Sequence, residues 1–258
     1  MKLGVLQGRL SEPVDGLYQE FPRNWRREFS FLRELGLSGV EWLITPASFR
    51  KNPLFLNPLS IKDRPILSIC VDTLVNDLID DEDFLKTHLD PVCKQAPRVG
   101  VNILTIPILD ESDLSDDEKR NSFCNIIKRY GEKYPQIKFA FEAELSINKL
   151  NDIVKLCDNF YVTYDTGNIT SCGVNHEDFI EFFGDKIINV HIKDRTFDRQ
   201  TVSPTTGDTD FDLIFKKLSS KGYSGHFILQ TARAITGDEV ATIKNHTKIF
   251  KDLYDKYF

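Results

Sequence analysis

Apolar residues concentrate in eight short stretches, at residues 3–7, 39–42, 66–72, 102–107, 138–142, 161–165, 187–193 and 226–230, several of which alternate apolar with small or polar positions. Their β-branched and aromatic content predicts strands. Between them, apolar residues recur at helical spacing over 25–35, 83–99, 116–134, 147–157, 178–183, 211–221 and 238–257. Strand followed by helix along the whole chain predicts an α/β protein, a (β/α)8 TIM barrel in one domain spanning residues 1–258, with its active site at the C-terminal ends of the strands. A doubly wound open sheet is the competing architecture. Against it, Gly4, Gly8 and Gly16 lack the GxGxxG spacing of a dinucleotide-binding turn.

Side chains two apart on a strand share a face, so the strand sequences also predict what points inward. In Phe139-Ala140-Phe141-Glu142 the phenylalanines face the helices and Ala140 and Glu142 face the interior. By the same alternation Ser68, Cys70 and Asp72 point inward in the third strand, and Ile228 and Gln230 in the last. Trp42, next to Glu41, is expected to face the helices. Large apolar residues lie outside, smaller or polar ones inside, with a polar residue at the C-terminal end.

Composition narrows the function classes. The 258 residues carry 33 Lys and Arg against 39 Asp and Glu, a formal net charge of −6 that disfavours nucleic acid as a partner. The 41% apolar content suffices for a full core. No run approaches the roughly 18 apolar residues of a membrane span, and Met1-Lys2-Leu3-Gly4 reads directly as a strand; the expectation is a cytoplasmic protein with no membrane partner. Five cysteines without CxxC spacing predict reduced thiols, mostly filling the core.

The predicted strand ends offer Gln7 and Arg9, Glu41, Asp72, Glu142 and Glu144, Asp165 and Asn168, His191 with Lys193, Asp194 and Arg195, then Gln230 and Arg233. Closure of a barrel brings these to one mouth. Glu142, Asp165 and His191, from three successive strands, make a set of two carboxylates and an imidazole that suits Mn²⁺, Mg²⁺ or Zn²⁺. Each alone also has a plain structural reading, as a helix cap, an ion-pair partner or a satisfied core histidine. The other histidines fall on predicted helices or caps (His88, His176, His246) or at the wrong end of a strand (His226).

Taken in order, Gly4-Val5-Leu6-Gln7-Gly8-Arg9-Leu10, Gly39-Val40-Glu41-Trp42, Tyr164-Asp165-Thr166-Gly167-Asn168, His191-Ile192-Lys193-Asp194-Arg195, Thr206-Gly207-Asp208-Thr209-Asp210-Phe211 and Phe227-Ile228-Leu229-Gln230 resemble the xylose-isomerase-like barrel superfamily. Within it they resemble the bacterial sugar phosphate isomerase/epimerase group. The resemblance implies a divalent metal held by Glu142, Asp165, His191 and the strand-eight residue, here Gln230 where the family carries glutamate. Gln230 still offers a carbonyl oxygen to a metal but has no titratable proton and cannot be a general base.

That substitution divides the functional readings. The first is a metal-dependent isomerase or epimerase of a small sugar or sugar phosphate, working through an enediolate with Glu142 as base and Glu41, Glu144 or a bound water as the second. The second is a one-base reaction, such as dehydration of an inosose-like polyol ketone or an isomerisation returning the proton to the same face. The third is a catalytically silent sugar-binding barrel. An AP-endonuclease of the same superfamily needs a three-zinc cluster and a DNA surface, which five histidines and the acidic charge argue against.

Substrate binding is assigned to Gln7, Arg9, Asp72, Asn168, Lys193, Arg195 and Arg233, the guanidinium forks serving a phosphate or carboxylate if one is present. Ion pairing within the mouth is the competing role of the arginines. The polar stretch 195–210 reads as a mobile lid, and Thr205-Thr206-Gly207 keeps only the second glycine of the Gly-x-Gly that related proteins carry there. Aromatic segments 24–31 and 49–55 offer a homo-oligomer face or a pocket lining, though such residues more often fill cores.

Overall fold

The computed structural model describes residues 1–235 and 237–258. Eight strands, β1 (Lys2–Leu6), β2 (Gly39–Leu43), β3 (Ile66–Cys70), β4 (Ile103–Ile108), β5 (Lys138–Ala143), β6 (Phe160–Asp165), β7 (Ile187–Ile192) and β8 (His226–Leu229), coincide with the eight expected from the alternation to within two residues at each end. They close into a barrel in the order β1, β8, β7, β6, β5, β4, β3, β2. Pairing is parallel, with Leu3 opposite Phe227, Ile228 opposite His191, and Gly4 opposite Gly39. A (β/α)8 barrel is therefore the fold. Among the described residues no helix is long and apolar enough to cross a membrane.

The outward and inward faces follow the alternation. Phe141 meets Phe123 of the helix Asp117–Lys133 edge-on at 6.4 Å, and Phe139 meets Phe160 at 5.6 Å. Gly131 of that helix lies so close to Phe160 and Cys157 that a Cβ would stand 2.6 Å from the ring, which explains a glycine inside a helix. Trp42 is fully buried, its indole N–H donating to Asn52 at 2.9 Å.

The chain forms two compact units, residues 1–41 with 163–258, and residues 42–162. In the first, Phe215 stacks on Phe227 at 5.2 Å and on Phe250 at 6.1 Å, so the helices Phe211–Ser220 and Glu239–Tyr257 cover β8 with aromatic surface. In the second, the Asp90 carboxylate gathers Lys133 at 2.6 Å, Lys94 at 2.5 Å and the Tyr134 hydroxyl at 2.6 Å, tying two helices together.

Three expectations need correction. The helix expected over 83–99 is three pieces, Glu82–His88, Asp90–Gln95 and the 3-10 turn Ala96–Val99. Pro91 and Pro97 have no N–H to donate and break the ladder, while the apolar spacing continues across the breaks and so hides them. β3 ends at Cys70, and Asp72 opens a single turn, Asp72–Leu74, instead of extending the strand. Finally, only Cys70 and Cys93 of the five free cysteines are buried; Cys124, Cys157 and Cys172 are half-buried on helices and turns.

Candidate functional site

Asp165 ends β6 and caps the helix Thr166–Ser171, accepting from the Asn168 amide at 2.8 Å. Its other oxygen meets the Lys193 Nζ at 2.9 Å. Burial works to raise this carboxyl, but the Lys193 ammonium, His191 and the Asn168 N–H outweigh it and hold it below the usual carboxylate value. Lys193 also reaches the Asn168 side-chain oxygen at 3.5 Å. Gly167 makes room for this lysine, since a Cβ there would stand 3.0 Å from Lys193 Cγ and 3.1 Å from Arg195 Cγ.

His191 and Glu41 have no exposed surface. The imidazole Nε2 lies 2.6 Å from one Glu41 carboxylate oxygen, and the Asn189 amide donates to the other at 3.0 Å. Asn189 precedes His191 by two on β7 and so shares its inward face. Glu142, Asp165 and His191, all buried, each offer a ligand atom within 4.8 Å of the others. Two carboxylate oxygens and one imidazole nitrogen at that separation are a donor set that fits a small divalent cation.

Gln230 follows β8, and its backbone N–H donates to the Ile192 carbonyl at 3.0 Å. Its side-chain nitrogen donates to Gln19 Oε1 at 3.3 Å, the same oxygen that Arg9 approaches at 3.4 Å. An arginine can only donate, so Gln19 presents its carbonyl here and Gln230 its NH2. The carbonyl oxygen of Gln230 is thereby left as its acceptor end, buried and without a hydrogen-bond partner among the described residues.

The remaining candidates separate. Gln7 is buried and donates its backbone N–H to the Glu41 carbonyl at 3.0 Å. Arg9 stacks over Tyr18 at 4.6 Å and donates to the Tyr18 carbonyl at 2.8 Å. Arg233 donates to the same carbonyl at 2.7 Å, to the Ser11 carbonyl at 3.1 Å and to Glu239 at 3.2 Å. Both guanidinium groups thus hold the segment 11–19 that follows β1. Arg195 reaches Ser171 at 3.3 Å. Asp72 is half-buried in its one-turn helix, and Glu144, half-buried, lies beyond the end of β5.

The stretch 195–210, read from sequence as a mobile lid, starts as a two-stranded ribbon, Asp194–Arg195 against Thr201–Val202. Asp194 then clamps it, accepting the backbone N–H groups of Thr206 at 3.1 Å, Gly207 at 3.0 Å and Thr209 at 3.3 Å. The amides that would cradle a phosphate already hold a carboxylate of the chain itself. A Cβ at Gly207 would stand 2.4 Å from that carboxylate, so the retained glycine serves the clamp.

Sequence reasoning did not single out Asn189, Gln19 or Glu28. Asn189 carried a usable signal, a polar residue two before His191 in an otherwise apolar strand; Gln19 sits in a loop with no period to read.

A family model described as xylose isomerase-like TIM barrel matches residues 29–252. The chain belongs to that family. Among solved structures, this xylose isomerase-like barrel is similar to the IolI protein with a zinc atom bound, at 19% identity and TM-score 0.76, over 100% of this chain and 99% of that one. It is also similar to a D-tagatose 3-epimerase-like protein at 18% identity and TM-score 0.68, over 99% of each chain. A D-psicose 3-epimerase from Clostridium cellulolyticum H10, determined with D-tagatose, aligns at 12% identity and TM-score 0.71, over 100% and 99% of the two chains. At these identities the likeness shows the fold. A search of curated protein sequences found no match.

Proposed function

We propose that this xylose isomerase-like barrel is a metal-dependent isomerase or epimerase of a small sugar, with Glu142 as the proton-transfer base and, for epimerisation, Glu41, Glu144 or a bound water delivering the proton to the opposite face. The buried set Glu142, Asp165 and His191 carries this reading. A divalent ion held there by those three residues, with the Gln230 carbonyl as a neutral fourth donor, would supply positive charge for the oxyanion that develops on the sugar. Glu142 abstracts the proton from the carbon between carbonyl and hydroxyl, and its burial at 2% exposure keeps water from competing for that proton. Lys193 and Asn168, side by side at Asp165, donate hydrogen bonds to sugar oxygens and fix which carbon faces the base.

A second reading, a one-base reaction such as dehydration of an inosose-like ketone or an isomerisation on one face, has its own support. Gln230 has no proton to exchange, and the Glu41 carboxylate is engaged by His191 and Asn189. Glu142 then works alone. For either reading a neutral polyol is favoured over a phosphorylated one, because Arg9 and Arg233 spend their donors on loop carbonyls and Asp194 fills the amide cradle of the ribbon loop.

Elemental analysis of the purified protein, followed by solvent-deuterium incorporation into a panel of ketoses, ketose phosphates and inososes, tests the proposal. Bound divalent metal and label at one carbon of a free ketose are the expected results. Water loss from an inosose selects the second reading, and a wild type without metal and without exchange leaves the silent sugar-binding barrel.

A further inference from the structure

Gln230 is 5% exposed, and its side-chain oxygen is buried with no hydrogen-bond partner among the described residues. A neighbouring loop decides which end of this amide faces which way. The Arg9 guanidinium, a donor only, reaches Gln19 Oε1 at 3.4 Å. The same oxygen accepts from the Gln230 side-chain nitrogen at 3.3 Å. With the Gln19 carbonyl set by the arginine, the Gln230 NH2 is held toward Gln19 and the Gln230 carbonyl is turned away from it. From this relay we propose that Gln19 is a positioning residue: it fixes the Gln230 amide so that the carbonyl oxygen, and not the NH2, is the end presented to a divalent cation. The proposal rests on the metal-dependent reading above.

Both ends of the relay are anchored. The carbonyl of Tyr18, the residue before Gln19, accepts from Arg9 at 2.8 Å and from Arg233 at 2.7 Å, so two guanidinium groups fix the backbone beside Gln19. At the other end the Gln230 backbone N–H donates to the Ile192 carbonyl at 3.0 Å. A carboxylate at this position would offer an oxygen at either end and need no such partner. A glutamine has one acceptor end, and the reversed amide would set its N–H groups against the cation. The neutral side chain and the loop that orients it therefore belong together, as a ligand and its outer hydrogen-bond partner do at other metal sites.

The substitution Gln19→Met keeps an unbranched side chain of similar length and removes the amide. Affinity for Co²⁺, used as a spectroscopic probe, is expected to fall about tenfold, with an unchanged unfolding midpoint because Arg9 and Arg233 still hold the Tyr18 carbonyl. Gln19→Glu, which keeps an acceptor for Arg9 and for the Gln230 NH2, should retain the affinity. A double-substitution cycle separates orientation from loop packing: in the Gln230→Glu background, where both ends of the side chain are acceptors, Gln19→Met should leave Co²⁺ affinity unchanged.

NMR of metal-free wild-type protein labelled at glutamine nitrogens gives a readout that requires neither turnover nor a folded variant. Proton contacts from the Gln230 NH2 to the Gln19 side chain are expected, and their absence overturns the proposal. If the wild type binds Co²⁺ and Gln19→Met binds it equally well, or loses the same factor in both backgrounds, the positioning role fails while the metal reading stands. If the wild type takes up no Co²⁺, the metal reading fails and the role of Gln19 falls with it.

Discussion

Glu28 and Glu41 are glutamates of the same compact unit, 1% and 0% exposed, and each gathers several donors, yet the two environments differ in kind. Glu28, on the helix Trp25–Leu35, accepts the backbone N–H groups of Gly8 at 3.1 Å and Leu10 at 3.2 Å and the Ser11 hydroxyl at 2.8 Å. All its partners belong to the turn after β1. Gly8 is forced there, with φ at 93° and a Cβ that would stand 2.8 Å from the Glu20 carbonyl. Glu41 instead meets two side chains of β7, Asn189 and His191, the second a member of the ligand-type set. A carboxylate closed by backbone donors fixes a turn; one packed against an imidazole of the ligand-type set stands beside the chemistry. Burial alone does not distinguish the two.

The largest effect separating the regions should come from Glu142→Gln, which removes the proton-transfer group and retains the shape. Solvent-deuterium exchange into the accepted ketose should fall about 10²–10⁴-fold with the unfolding midpoint preserved. Glu28→Ala should do the reverse. Leaving the Gly8 and Leu10 amides without their acceptor costs about 1–3 kcal/mol, measurable by urea unfolding, while Co²⁺ affinity stays within error.

A smaller gain is expected from Gln230→Glu. A charged fourth donor in place of a carbonyl should tighten divalent binding about tenfold, since ligand charge sets affinity at oxygen sites. It also restores a second titratable group, so C3 epimerisation of a ketose should rise. If epimerisation does not change, the second proton donor lies elsewhere.

The pH dependence of stability gives the smallest effect. Burial pushes the Glu28 carboxyl up to about 7, against the Gly8, Ser11 and Leu10 hydrogen bonds that lower it. A carboxyl whose value is raised on folding contributes stability that is complete below its unfolded value near 4.5 and is lost as pH rises through about 7. Between pH 5 and 7 the unfolding free energy should therefore decline by about 1 kcal/mol per pH unit from this group. The slope should disappear in Glu28→Ala. Glu41→Gln should leave it in place.

Much of the barrel was legible because its information is local. A strand with one face in the barrel and the other under a helix must alternate, and Phe139-Ala140-Phe141-Glu142 shows both faces in four residues. Proline breaks inside the predicted helix 83–99 were less legible, because apolar spacing persists across Pro91 and Pro97. Asp72 misled for a similar reason: alternation continues to it although the backbone has already turned. Asn189 and Glu28 were hidden in another way, since a buried polar residue declares its role only through a partner distant in the chain.

The sequence by itself determined the eight strands and the closed repeat, and offered Glu142, Asp165 and His191 as a ligand-type set. These follow from periodicity and residue chemistry, which each segment carries in its own side chains. Tertiary structure decided how the polar groups are spent. It turned Arg9 and Arg233 toward loop carbonyls, filled the amide cradle of the ribbon loop with Asp194, and set Glu41 against His191. A hydrogen bond depends on the position of both partners, and residues 148 apart in the chain, such as Glu41 and Asn189, acquire that position only when the barrel brings their strands together.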